Sequence, residues 1–297
     1  MVTVLVTGAS SSPGYKTVLA LSRRGVDVIG IYNQHPVSIP GAETIKADLI
    51  KDAEKVVRDY KPSILIHIAA LGDVDLCESD KLFCYTTNVV VTRRILYEAS
   101  RLGTKIIYLS TDYVFDGNRG LYQETDPPNP INYYGLTKLL GEEIALTLGG
   151  VVVRTSAIYG LGPGRPNFGK VVVEKLSKGE TIKAFIDQWL SPTLNTFLGE
   201  ALAKLALDLE LSREILHVAG PRMSRYEFAK AIARVFGFDE ELIKPTSMSQ
   251  FSFKAPRPRD SSLRVAKAEQ LLGIAFSDID KALKVFHREY QEGKRLT

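Results

Sequence analysis

Cysteine is scarce in this chain: two residues, Cys77 and Cys84, in 297. That excludes a fold built on disulfides, and no Cys/His/acid spacing suggests a zinc site. On one helix the two would stand two turns apart, on the order of 10 Å, beyond the reach of a disulfide. Sparse thiols of this kind predict a reducing, cytoplasmic setting. Long apolar runs are absent too. Ile64 to Leu71 is interrupted by His67 and is too short to cross a bilayer, and Met1-Val2-Thr3-Val4 lacks the charged start of a signal peptide. Charge of one sign is also missing. Thirty-eight Lys and Arg against thirty-four Asp and Glu leave +4, too little for a nucleic-acid or membrane-surface protein. No repeat or low-complexity tract is present.

What is there is an alternation. Strand-like runs at Val2–Thr7, Val26–Tyr32, Glu43–Asp48, Ile64–Ala70, Lys105–Thr111 and Val151–Thr155 are separated by helix-like stretches. Several are apolar on successive residues, as strands covered on both faces are. The pattern predicts an α/β fold: a Rossmann-type, doubly wound parallel sheet with a smaller C-terminal substrate-binding cap. The expected dinucleotide-binding domain is 1–155, with 194–217 returning to it. The expected cap is 156–193 and 218–297. Helices are predicted at Gly14–Arg24, Lys51–Tyr60, Asp80–Leu102, Phe168–Ser177, Thr196–Leu209, Arg225–Phe236, Arg264–Leu272 and Asp278–Tyr290, with one late strand at Ile215–Ala219.

The first strand runs into Thr7-Gly8-Ala9-Ser10-Ser11-Ser12-Pro13-Gly14. A glycine turn that follows a strand and opens a helix lets backbone approach a pyrophosphate, with helix N–H groups facing it. Gly8 and Gly14 define the turn. Ser11 stands where a middle glycine is usual, and Pro13 removes one N–H, so the hydroxyls of Ser10, Ser11 and Ser12 are the candidate replacement donors. The second strand ends in Ile31-Tyr32-Asn33-Gln34-His35. With no acid there to accept from a ribose hydroxyl, a 2′-phosphate meets no repulsion, and NADP(H) is favoured with NAD admitted. Asp48, followed by Leu49, can accept from an adenine amino group or simply end its strand in solvent.

Tyr134 and Lys138 fall one turn apart on a helix that Pro130 and Asn132 suit as a start. An ammonium beside a phenol lowers its pKa, so Tyr134 can pass a proton to or from a carbonyl oxygen. Lys138 can also hold the nicotinamide ribose. Thr111 ends the fifth strand, where open α/β sheets bind ligands, and can share the substrate oxygen. Gly141 inside the same helix costs about 1 kcal/mol, which a close approach by another group would explain.

These segments resemble the extended short-chain dehydrogenases/reductases, and within them the dTDP-4-dehydrorhamnose reductases. Ser110–Gly117, Tyr134–Lys138, Arg154-Thr155-Ser156, Asp187-Gln188 with Pro192-Thr193, and Arg257-Pro258-Arg259-Asp260-Ser261 stand in that family's order over nearly the whole chain. The resemblance implies Thr111, Tyr134 and Lys138 as catalytic. It places Ala69 and Ala70 under the cofactor and Asn88 beside it. It puts Val74, Asp75 and Asp112 on the substrate side. Leu71 and Ala157 face the sugar where the family has a polar residue and a bulky aromatic. It further implies a nucleotide-sugar substrate, a homodimer, and reduction of a 4-keto deoxysugar. Dehydratases of similar pattern place Glu after Thr-Asp, where Tyr113 stands here. An epimerase stays open, as does a non-catalytic role, because the regulatory β subunit of methionine adenosyltransferase carries a similar Thr-Asp-Tyr-Val-Phe-Asp-Gly run.

The remaining candidates are ambivalent. Arg257, near Arg259, is either a diphosphate clamp or part of a solvated basic loop. Trp189 either lines the cleft or packs between domains. His67, in an apolar strand, reads as a packed core side chain rather than a base.

Overall fold

The computed structural model describes residues 2–295. Seven strands, β1 (Thr3–Thr7), β2 (Asp27–Tyr32), β3 (Glu43–Lys46), β4 (Ile64–His67), β5 (Lys105–Thr111), β6 (Val151–Thr155) and β7 (Glu214–His217), form one sheet in the order β7-β6-β5-β4-β1-β2-β3. Every pairing in it is parallel. Side chains alternate across it, so Val4 and Val6 enter one core and Leu5 the other. That is why the strands read as unbroken apolar runs.

The helices are α1 (Ser12–Ser22), α2 (Leu49–Tyr60), α3 (Val74–Ser79), α4 (Lys81–Tyr85), α5 (Val91–Arg101), α6 (Tyr133–Thr147), α7 (Phe168–Leu176), α8 (Asn195–Leu207), α9 (Arg225–Phe236), α10 (Ala266–Leu272) and α11 (Ile279–Arg295). Val18 and Leu21 of α1, Leu198 and Leu202 of α8, and Ala268 and Leu272 of α10 cover one face. Val57 of α2, Ile95 of α5 and Ala145 of α6 cover the other. A separate core gathers Val172 of α7, Phe228 of α9 and Phe286 of α11 around Tyr159. There Ile182–Phe185 pairs in parallel with Ile243–Thr246. Leu263, Val265 and Phe276 pack with the sheet rather than with this second core.

From β1 the chain winds outward to β2 and β3, then crosses back to β4 on β1's other side. This reversal opens a crevice above the carboxyl ends of the strands, and both ligand-facing motifs lie along it. No helix among the described residues is long and apolar enough to cross a membrane.

The cysteines correct the sequence reading. They do not share a helix: α3 ends at Asp80, whose φ of −126° and ψ of 78° break the path and whose side chain caps α4. The break brings the Cα atoms to 5.0 Å, and Cys77 and Cys84 form a disulfide. The argument from unpaired thiols to a reducing compartment falls with it. His67 is core as expected: it is fully buried between Thr7 and Thr92, and burial pulls its pKa down to about 3. A Cβ on Gly141 would collide with the Tyr108 hydroxyl, which supplies the close approach its helical position called for.

Two predictions follow from these packing facts. Cys77→Ser should lower unfolding free energy by about 2 kcal/mol in urea, and the unreduced wild type should show no titratable thiol in denaturant. Gly141→Ala should cost about 1–3 kcal/mol through overpacking, despite alanine's better helix propensity, and a gain in urea midpoint would contradict the collision.

Candidate active site

Ser11 is the N-cap of α1, accepting from Gly14 N (3.2 Å) while donating to Gly8 O (2.7 Å). Its hydroxyl is therefore spent on holding the turn and is not a free phosphate donor, which corrects the expectation for that residue. Ser12 Oγ accepts from Asn195 (2.6 Å). Among the described residues the Ser10 hydroxyl has no hydrogen-bond partner, and Ser10 lines the cavity, whereas Ser12 does not. Gly8, at φ +75°, lies so close to Ala69 that a Cβ would stand 3.0 Å from its nitrogen. Gly14 packs on the Gly8 carbonyl, so both glycines are required by the turn.

A cavity of about 350 Å³ starts at this turn. Asn33, Asp48, Leu49, Ala69 and Ala70 line it, together with Tyr32 and Thr87. It adjoins a second cavity of about 290 Å³, with which it shares Ser11, Ile68 and Ala70. That second space is walled by Ser110, Thr111, Tyr134, Lys138 and Ala157. Asp48 caps α2 through Ile50 N (3.1 Å) and still faces the first cavity. Asn88 sits apart from the expectation. It is buried on a π-helical turn (Thr86–Val90), braces Leu71 N (2.7 Å), Leu71 O and Thr137, and lines none of the cavities. Leu71 is thereby clamped by its backbone, and its side chain lines none of these cavities.

The fit to a dinucleotide rests on these observations: a glycine cradle, a helix N-terminus behind it, and two joined cavities along the strand ends. Sequence reading missed one member. The loop at Gly160–Arg165 folds back so that Gly164 lies against Ser10 and Ser11 and Arg165 lines the first cavity, ion-paired to Asp73 at 2.9 Å. Nothing local marks Arg165, because the contact joins segments far apart in sequence.

Asn132 caps α6 through Gly135 N (2.8 Å) and also bonds Pro256 O of the cap (3.0 Å). The helix then presents Tyr134 and Lys138 to the crevice. Lys138 Nζ donates to Leu109 O (2.7 Å) and stands 4.2 Å from the Tyr108 ring. Burial pulls its pKa down to about 7, with the Glu142 carboxylate opposing the shift. Tyr134 corrects the sequence expectation. Burial pushes its pKa well up, only partly offset by the Thr111 hydroxyl, and the ammonium does not enter the balance. The phenol is a protonated donor in the free protein. Thr111 donates to Asp112 (3.1 Å) and accepts from Tyr113 N (3.2 Å). Asp112 is buried and takes Ser156 (2.7 Å) and Ser261 (2.5 Å) on its other oxygen. It ties Ser156 and Ser261 to the end of β5.

Glu142 lies beneath this face. It accepts from Arg154 through two atoms (2.9 and 2.7 Å) and from Ser110 (2.5 Å), with both ionic partners about 1 % exposed.

A smaller cavity of about 140 Å³ opens from Thr111, Tyr134 and Ala157 toward the cap, where Val74, Gln188, Leu190 and Arg225 meet it. Ala157 holds φ +42°, a left-handed strain of about 1 kcal/mol, and its small side chain leaves the space open. Trp189 is outside it. The indole lies under Arg222 (3.9 Å), and its backbone is tied to Arg259 and Ser261. Gln188 and Leu190, its strand neighbours, point the other way. Arg257 is also turned away from a free role, since it pairs with Asp75 at 2.9 Å and reaches Ala255 O. Arg225 was not marked by the sequence, because a single arginine at a helix start carries no pattern of its own.

The comparisons meet this geometry. The profile of the RmlD substrate binding domain matches residues 2–292. The chain belongs to that family. It is 32% identical to dTDP-4-dehydrorhamnose reductase of Mycobacterium tuberculosis over 88% of this chain and 84% of the relative. It is 28% identical to methionine adenosyltransferase 2 subunit beta of Bos taurus, over 90% and 82%. The crystal structure of a hypothetical dTDP-4-dehydrorhamnose reductase from Sulfolobus tokodaii superposes with TM-score 0.82 at 37% identity, covering 93% of this chain and 97% of its own. That of dTDP-4-dehydrorhamnose reductase from Bacillus anthracis, in complex with NADP, gives TM-score 0.81 at 28% identity, over 97% and 100%. The Rossmann-like sheet of this family is the fold the sequence predicted.

The buried ammonium has a measurable signature. Lys138 holds its proton less tightly folded than unfolded, so between about pH 7 and the ordinary lysine value of 10.5 the unfolded chain binds more protons and stability rises with pH. Lys138→Met should therefore stabilise the protein near pH 7, the gain shrinking by up to about 1.4 kcal/mol per pH unit toward pH 10. Paired urea titrations at those two pH values check the slope, and a pH-independent difference would refute it.

Proposed function

We propose that this chain is an NADP(H)-dependent oxidoreductase that reduces the 4-keto group of a nucleotide-linked deoxysugar, dTDP-4-dehydrorhamnose to dTDP-rhamnose being the reaction its relatives point to. The observation that carries the reading is the meeting of Thr111, Tyr134 and Lys138 where the dinucleotide cavity joins the smaller cavity under the cap. Bound nicotinamide supplies a hydride to the carbonyl carbon. Tyr134, kept protonated by burial, donates its phenolic proton to the carbonyl oxygen. Thr111 orients that oxygen. The Lys138 ammonium lines the same cavity, where it can hold the ribose of the cofactor. Gly8, Ser10, Asn33, Asp48, Leu49, Ala69 and Ala70 seat the cofactor in this reading. Val74, Asp112 and Ala157 border the sugar, and Asp75 acts through its pair with Arg257.

The rim formed by Tyr32, Asn33 and His35 carries no carboxylate, and Arg165 adds a cation to the same cavity. Both features support the 2′-phosphorylated cofactor, as does the NADP complex of the B. anthracis relative. A cytoplasmic setting belongs to the reading, as does a homodimer. Leu136 and Leu140 on α6 and Tyr97 on α5 stay exposed, and a monomer by light scattering would remove the second of these.

Consumption of NADPH on mixing with dTDP-4-dehydrorhamnose tests the reading, and Tyr134→Phe should lower kcat by about 10²–10⁴. NADPH binding without turnover would instead favour a regulatory role like that of the β-subunit relatives. Asn33→Asp should cut kcat/KM for NADPH by about tenfold or more relative to NADH, a loss of about 1.4 kcal/mol; an unchanged ratio would remove the rim argument.

A further inference from the structure

The glycine turn is poor in free donors. Ser11 spends its hydroxyl on Gly8 and Gly14, Ser12 Oγ is held by Asn195, and Pro13 has no N–H. The cavity that starts there carries few charges. Among the described residues lining it, Asp48 is the one carboxylate and Arg165 the one permanent cation. Arg165 arrives on a strap, residues 160–165, that is fixed along its length. Asn167 Nδ2 donates to Gly160 O (2.8 Å). Asn195, fully buried, donates to both Leu161 O (2.7 Å) and Ser12 Oγ (2.6 Å), so one amide clips the strap to the turn. Gly164, at φ +93°, packs so near that a Cβ would stand 3.3 Å from Ser10 O. From there Arg165 Nη2 reaches Asp73 (2.9 Å). The strap therefore crosses from the loop after β1 to the loop after β4, two neighbouring strands of the sheet. The guanidinium has one nitrogen engaged. Its Nε and Nη1 have no partner among the described residues, and the side chain is 71% exposed.

We propose that Arg165, carried across the crevice by the strap, is a cofactor-binding residue that grips the dinucleotide's diphosphate where the glycine turn lacks donors. The inference rests on the dinucleotide reading above and adds the contact. A guanidinium offers paired N–H groups to phosphate oxygens, and its free edge supplies what Ser11, Ser12 and Pro13 do not. The Asp73 pair is exposed and worth little by itself, so it places the fork at small cost to this role. Position selects the diphosphate over the second phosphate of an NADP-type cofactor. The rim at Tyr32, Asn33 and His35, where a 2′-phosphate is expected, lies beyond β2, whereas the strap spans β1 and β4 on the other side. Both phosphates suit a guanidinium, and the experiment separates them.

Full-length wild type, Arg165→Gln and Arg165→Lys are titrated with NADPH and NADH by fluorescence, and dissociation is followed by stopped flow after a chase with excess NADP. Arg165→Gln should weaken NADPH and NADH by comparable factors of about ten, as loss of a charge-assisted hydrogen bond at a partly exposed site does. The loss should lie in faster dissociation, because a contact is broken, and Arg165→Lys should recover part of it. An unchanged urea midpoint certifies the fold, since only an exposed ion pair is removed. Unchanged affinity in Arg165→Gln overturns the proposal. Loss confined to NADPH overturns it in favour of the 2′-phosphate. Loss confined to the association rate overturns it in favour of long-range attraction. If the wild type binds NADPH but not NADH, 2′-AMP takes the place of NADH: a loss of about tenfold for 2′-AMP overturns the proposal, and an unchanged affinity beside weakened NADPH upholds it. If the wild type binds no dinucleotide, the cofactor reading fails and the contact fails with it.

Discussion

A buried ion pair holds α6 against the sheet. Glu142 and Arg154 are both about 1 % exposed, joined by paired hydrogen bonds, and Ser110 completes the carboxylate. These three residues come from α6, β6 and β5, so one charge pair ties the helix that carries Tyr134 and Lys138 to the strands whose ends form the crevice. Breaking such a pair strands the remaining charge at a cost of about 3–5 kcal/mol, which makes it a constraint on geometry more than a source of net stability. The same carboxylate sits one helical turn from Lys138 and opposes the loss of its proton. The position of α6 and the protonation of Lys138 thus share one support.

A second support is short and easily overlooked. Helix α3 has six residues. Asp73, its cap, pairs with Arg165 beside the larger of the two joined cavities. Asp75 pairs with Arg257 and accepts from Ala255 N of the cap at 3.0 Å. Glu78 accepts from Tyr133 N at the start of α6 (3.0 Å), and Cys77 is bonded to Cys84. The Gly160–Arg165 loop, the segment at Ala255 and Arg257, and α6 all converge on this one element.

Much of this was legible in the sequence, and the exceptions have common causes. The strands were readable because burial on both faces leaves continuous apolar runs, and the Tyr134–Lys138 pair because helical spacing is local. The disulfide was not, because one non-helical residue, Asp80, decides whether Cys77 and Cys84 are near or far. The acidity of Tyr134 was misjudged because spacing shows a neighbouring ammonium but not the dehydration that outweighs it. Arg165 and Arg225 were missed for a third reason: each reaches the crevice from a segment distant in sequence, and tertiary folding alone brings it there. Asn88 and Trp189 lie near the site in sequence order yet act from behind it, as brace and packing.

The two-residue strand Trp189–Leu190 pairs antiparallel with Met223–Ser224 and is tied along its other edge to Arg259 and Ser261. Because strand side chains alternate with a period of two, a slip of a single position would exchange the two sides. An indole would then turn toward the small cavity beside Thr111 and Tyr134, and the Gln188 amide that accepts from Arg225 would turn away from it. The shape of that cavity is therefore written in the phase of one short ribbon, and an insertion or deletion there would rebuild its wall while leaving Thr111 and Tyr134 in place.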